Sequence, residues 1–232
     1  MGYELGKVFD AIDTRDTAAV VLTGQGKAFS AGGDLDFLKA RSVDTPLNNA
    51  KTMVNFYKLF LTPLRNSPVP VIAAIQNLAI GAGACLATAA DYRVVSRDAK
   101  VGFTFANLGI HAGMGATHFL SKRIGSSSAT RLLLTGEIIS GAEICNAMNW
   151  GLAADNEGAV LPLALSIAEK ISSAAPVAVR GMLRTIRRSE DAGLDAALDR
   201  EAYEQASCYS GQDFKEGLKS IIAKSKPVFT QY

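Results

Sequence analysis

Of the two histidines in this 232-residue chain, His111 stands in a glycine-spaced turn, NLGIHAGMG (107–115), just after the apolar run 101–105. An imidazole there could act as a general base or acid near neutral pH, or could simply hydrogen-bond a loop carbonyl. Two other segments offer backbone chemistry. Residues 29–34, FSAGGD, follow a short apolar run, and 81–83, GAG, open a small-residue helix with the positive end of its dipole behind them. Two N–H groups converging from different segments form an oxyanion hole, which stabilises charge developing on a carbonyl oxygen. Either glycine turn alone is equally a tight connection. Cys85, in the same helix, is a nucleophile only if its thiolate is favoured, and otherwise a small buried hydrophobe. His118 sits beside Phe119 and Leu120 and reads as a packed helix residue; Asp34 reads as an organiser of the first turn.

The elements that must position these groups follow from periodicity and punctuation. Apolar residues at helical spacing predict a helix over 5–12, and continuous apolar runs predict buried strands over 18–23 and 69–75. Residues 35–66 read as a loop followed by a helix. A helix over 84–90, strands over 92–96 and 100–105, and helices over 117–123, 126–134, 141–150 and 161–173 come next. The tail adds helices over 177–188, 192–209 and 213–224. Short buried strands alternating with helices, then a helical last third, describe an α/β core with a helical appendage.

Composition removes several classes. With 48% hydrophobic and 20% charged residues the chain can bury a large core. A formal net charge of +2 gives no reason to expect nucleic acid as partner. The basic clusters 122–123 and 184–188 are solvated helix faces or, alternatively, sites for a phosphate-bearing ligand. Three widely spaced cysteines, with no CxxC pair, argue for a reducing compartment and against a structural metal. No apolar run reaches the ~18 residues that span a bilayer, and the N-terminus lacks a secretory signal.

Four stretches carry a resemblance: AVVLTGQGKAFSAGGDL, PVIAAIQNLAIGAGACLATAADYRVVS, LGIHAGMGATHFLSKRIG and LLLTGEIISGAEICNAMNWGLA. In this order, and with the tail GQDFKEGLKSIIAKSKPVFT, the chain resembles the enoyl-CoA hydratase/isomerase (crotonase) superfamily from about residue 5 to 229. The resemblance implies an α/β, crotonase-type spiral of ββα units over 1–172 and a helical trimerisation region over 173–232. It implies an acyl-CoA substrate, a homotrimer or homohexamer, and no cofactor beyond the coenzyme A of the substrate. The oxyanion amides would belong to Ala31 and Ala82, with Gly32, Gly33, Asp34, Phe105 and Gly113 binding substrate.

Departures from the family pattern shape the functional expectation. The two glutamates of the hydratases fall at Cys85 and Phe105, so both carboxylates are missing. The loop around His111 resembles one that carries an aspartate in dihydroxynaphthoyl-CoA synthases, and in other branches an acid nearer Gly113, which makes His111 the catalytic candidate. Glu137 is the runner-up acid. The β-hairpin that usually precedes the first helix is absent from this sequence. Two readings follow: an acyl-CoA enzyme that stabilises a thioester enolate with non-standard acid/base groups, or an inactive acyl-CoA-binding or assembly subunit. The cytoplasm or a mitochondrial matrix is the expected location.

Overall fold

In the computed structural model, which describes residues 1–230, the short apolar runs form the centre of the molecule; Gln231 and Tyr232, the end of the 173–232 region, lie outside the described residues. The strands are β1 (Val20–Thr23), β2 (Val71–Ile75), β3 (Leu78–Ile80), β4 (Tyr92–Ser96), β5 (Lys100–Gly102), β6 (Ile138–Ser140) and β7 (Leu152–Ala154). The helices are α1 (Gly2–Asp10), α2 (Leu35–Arg41), α3 (Pro46–Asn66), α4 (Ala82–Ala89), α5 (Ala116–Ile124), α6 (Ser126–Thr135), α7 (Gly141–Asn146), α8 (Glu157–Ser172), α9 (Pro176–Glu190), α10 (Leu194–Tyr209) and α11 (Gln212–Ala223).

One sheet is wholly parallel in the order β1-β2-β4-β7; the other, β3-β5-β6, pairs β3 with β5 parallel and β5 with β6 antiparallel. The successive units β2-β3-α4 and β4-β5-α5 give the spiral of ββα units its winding. Every residue of β2 is buried because helices cover both faces of a parallel sheet. Ile72, Ala74 and Val94 meet Val160 and Ala164 of α8, whereas Val71, Ala73, Ile75 and Val95 join the main core with Tyr57, Phe103 and Trp150. This alternation is the two-residue period of a strand.

The sequence reading missed β3, β6 and β7, each three residues long, too short to display a period. The stretch 35–66 holds two capped helices rather than a loop and one helix. Asp34 accepts from the N–H groups of Asp36 and Phe37 to start α2, and Thr45 caps α3 with Pro46 in its first turn.

Buried charge ties α9 to the sheet. Arg187 donates to the carbonyls of Arg65, Ser67 and Val69 and to both oxygens of Asp91, which also accepts from the Val71 N–H. Arg65 and Arg123 both pair with Glu190, and Lys122 donates to the Glu190 carbonyl. Arg123 and Arg187 therefore serve the framework, and neither is a free phosphate ligand.

Candidate active site

Three elements bring the first glycine turn against the second. Ser30 bridges to Ala79, and Ile80 donates to the Ser30 carbonyl. A side chain on Gly83 would meet the Ser30 side chain at 2.4 Å, and one on Gly32, held at φ +102°, would meet the Ile80 carbonyl oxygen at 2.9 Å. Glycine at both positions lets the backbones approach this closely. As a result Ala31, Gly32, Gly33, Gly81 and Ala82 line one apolar cavity of about 360 Å³. Ala82 is the first residue of α4, so its N–H has no acceptor within the helix. Among the described residues the Ala31 N–H donates to nothing either, while its neighbour Gly32 donates to Ser30 Oγ.

The rest of the cavity is built by α2, α3, the 104–114 loop, α10 and α11. Phe37, Met53, Phe56, Phe105, Leu108 and Met114 give it an apolar wall. Its side-chain polarity comes from Thr104, Tyr57, Gln205 and Tyr209, and among the described residues none that lines it carries a carboxyl, imidazole or thiol group. Both phenols donate to Gln205 Oε1, Tyr57 at 2.9 Å and Tyr209 at 2.8 Å, and Gln205 Nε2 donates to the His111 carbonyl at 2.5 Å. Burial pushes both phenols above the ordinary tyrosine range, so they stay protonated.

Below the loop lies Glu201, fully buried, which accepts from the Gly115 N–H at 2.7 Å and from the Thr117 N–H and hydroxyl at 2.8 and 2.6 Å. It satisfies the open N-terminus of α5 and clamps the 109–115 loop to α10. Burial raises its carboxyl above the usual range against the lowering effect of those hydrogen bonds.

The anticipated site residues separate into two groups. Ala31, Gly32, Gly33, Ala82, Phe105 and Gly113 come together at the cavity. His111, Asp34 and Cys85 do not. The expectation that His111 faces the acyl pocket is not met: its ring lines a different groove with Thr117, Ser121, Cys208 and Asp213. The reason is local. The His111 carbonyl turns toward Gln205, and Nδ1 sits 2.6 Å from the Ala112 carbonyl oxygen, so the side chain projects away from the cavity. The structure thus gives His111 the loop-carbonyl role that was its alternative. Asp34 is spent on capping α2. Cys85 is fully buried and burial pushes its thiol well up, which leaves it an inert hydrophobe. His118 Nε2 donates to the Glu190 carbonyl against Phe119, and Glu137 pairs with Arg131 on the surface; neither reaches the cavity.

Sequence reasoning missed Tyr57, Gln205 and Tyr209. The signal was present: Glu201, Gln205 and Tyr209 repeat every four residues beside the buried Leu198, Ala202 and Ala206, a polar stripe on the inward face of a helix.

Comparison with known proteins agrees with this architecture. Residues 1–232 match the family model described as enoyl-CoA hydratase/isomerase. The chain is 32% identical over 229 residues to a short-chain-enoyl-CoA hydratase of Clostridium acetobutylicum, covering 97% of this chain and 84% of that protein. It is 29% identical over 234 residues to a 1,2-epoxyphenylacetyl-CoA isomerase of Escherichia coli, covering 99% and 88%. The crystal structure of an enoyl-CoA hydratase/isomerase from Pseudoalteromonas atlantica T6c superposes with a TM-score of 0.83 at 25% identity, over 99% of this chain and 88% of that one.

Proposed function

This chain belongs to the enoyl-CoA hydratase/isomerase family, and from that premise we propose that it is an acyl-CoA enzyme that stabilises a thioester enolate between the Ala31 and Ala82 amides. The observation that carries this reading is a pair of residues lining one apolar cavity whose N–H groups have no acceptor among the described residues. With the thioester oxygen between them, negative charge that develops during reaction meets two fixed donors in a dry setting, where such dipoles act most strongly. The acyl chain lies against Phe37, Met53, Phe56 and Phe105, and Gly113 leaves room for the Tyr57 phenol that lines the same cavity. Coenzyme A arrives with the substrate, and no other cofactor is called for.

Two-glutamate hydration is not the proposed reaction. Phe105 lines the cavity with a group that cannot titrate, and Cys85 is fully buried and does not line it. Proton transfer therefore falls to non-standard groups. The helical region 173–232 is proposed to assemble trimers or hexamers, since α9 leaves Val177, Met182 and Ile186 exposed.

A second reading, an acyl-CoA binder without turnover, is favoured by one observation: among the described residues no carboxyl, imidazole or thiol lines the cavity. Calorimetric titration with a panel of acyl-CoA esters, followed by product analysis of those that bind, separates the two. Binding with product supports the enzyme, binding without product supports the binder, and no binding overturns both.

A further inference from the structure

The acyl cavity has a polar end whose hydrogen-bond polarity is fixed. Gln205 Nε2 lies 2.5 Å from the carbonyl oxygen of His111, which can only accept, so the amide nitrogen must face it. The amide oxygen is then turned toward Tyr57 and Tyr209, and an amide oxygen also only accepts. The Tyr57 hydrogen is therefore committed to Gln205, and that of Tyr209 is held between Gln205 Oε1 and the Met53 sulfur, at 2.8 and 3.6 Å. Each phenol oxygen keeps lone pairs and has no second hydrogen to give. Tyr57, Gln205 and Tyr209 are each exposed by no more than 2%, which holds this arrangement rigid. Tyr57 Oη also occupies the space beside Gly113 that a side chain there would fill, at 2.2 Å from an ideal Cβ.

We propose that this end of the cavity recognises a hydroxyl group on the acyl moiety, which donates to the Tyr57 and Tyr209 oxygens. The proposal deepens, and rests on, the acyl-CoA reading above. Two adjacent acceptor oxygens in a cavity whose one other polar side chain outside the Gln205 cluster, among the described residues, is Thr104 select a donor and disfavour a carbonyl, ether or carboxylate, which would set lone pair against lone pair. Phe37, Phe56 and Phe105 offer flat faces that suit an aromatic acyl group, while Met53, Leu108 and Met114 suit an aliphatic one. The shared chemistry is the hydroxyl.

The test uses the full-length protein and matched esters in calorimetric titration: 4-hydroxycinnamoyl-CoA against cinnamoyl-CoA, and 6-hydroxyhexanoyl-CoA against hexanoyl-CoA, with 4-methoxycinnamoyl-CoA as an acceptor-only control. In at least one pair the hydroxylated ester should bind about tenfold more tightly, the effect of one good buried hydrogen bond. Which pair discriminates tells the aromatic from the aliphatic source. The Tyr57→Phe, Tyr209→Phe double variant should bring that ratio close to one. Gln205→Leu, which frees both phenol hydrogens, should raise the affinity for the methoxy ester relative to cinnamoyl-CoA, a gain that a merely damaged fold would not produce. Equal binding within both pairs, wild-type preference for the methoxy ester, or a hydroxyl preference that survives the double variant would overturn the assignment while leaving the acyl-CoA reading intact. If no ester of either pair binds, the acyl-CoA reading itself has failed and the hydroxyl assignment falls with it.

Discussion

Ala82→Pro isolates one oxyanion donor. Ala82 is the first residue of α4, where an N–H has no intrahelical partner, so proline removes the donor without breaking a helix hydrogen bond. The preceding residue is Gly81, whose missing Cβ relieves the usual conflict with a proline ring. The stability change should stay within about 1 kcal/mol, because proline at this position suits the helix. Catalysis should not survive so well. Loss of one oxyanion donor typically lowers kcat by about 10²- to 10³-fold, or roughly 3 kcal/mol of transition-state stabilisation. The assay is steady-state turnover of the best acyl-CoA ester from the titration panel, with thermal melting as the folding control. Ala82→Gly, which keeps the N–H, should remain within about tenfold of wild type. A folded Ala82→Pro protein with turnover within threefold of wild type would refute the reasoning.

The remaining predictions concern other parts of the molecule. Crotonyl-CoA hydration should be very slow, since each missing acid/base group is worth about 10²- to 10⁴-fold; turnover near 10 per second, an ordinary enzyme rate, would contradict this. His111→Ala should retain turnover within about threefold, because its ring lines another groove; abolished turnover would restore it to the site. Glu201→Ala strands one buried donor and two half-buried ones and should cost about 3 kcal/mol, seen as a thermal midpoint lower by roughly 6–12 °C; an unchanged midpoint would remove its clamping role. The Glu201 carboxyl titrates above its unfolded value, so the stability it contributes is greatest in acid and declines as pH rises through that titration. The stability deficit of Glu201→Gln should therefore narrow from pH 4 upward, measured by denaturant unfolding; a deficit that widens with pH would reverse the assignment. Light scattering at micromolar concentration should give a multiple of 24.4 kDa, and a single-chain mass would count against assembly through α9.

Much of the framework could be read from residues whose local chemistry is unambiguous. The run VIAAI is apolar at every position because β2 is covered on both faces, and that pattern is visible without coordinates. The glycine turns at 32–33 and 81–83 mark close backbone approach, and they do meet. Strands of three residues such as Leu78–Ile80 exist through their neighbours' hydrogen bonds and have no period of their own. The direction of the His111 side chain depends on which way its carbonyl turns, and that is set by Gln205, 94 residues away. The Tyr57–Gln205 contact spans 148 residues and depends on α10 packing along α3. Such pairings arise from tertiary packing, so the polar end of the cavity was legible only as a stripe on α10.

The measurement closest to the central claim is the carbonyl itself. An acyl-CoA ester labelled with ¹³C at the thioester carbonyl should show, on binding, a downfield ¹³C resonance and a lowered carbonyl stretching frequency relative to water, as two fixed N–H donors polarise the bond. In Ala82→Pro, with the ester still bound, most of that shift should vanish. A bound ester whose carbonyl keeps its solution spectrum in the wild-type protein would contradict the account, because the Ala31 and Ala82 amides would then not be holding the thioester oxygen.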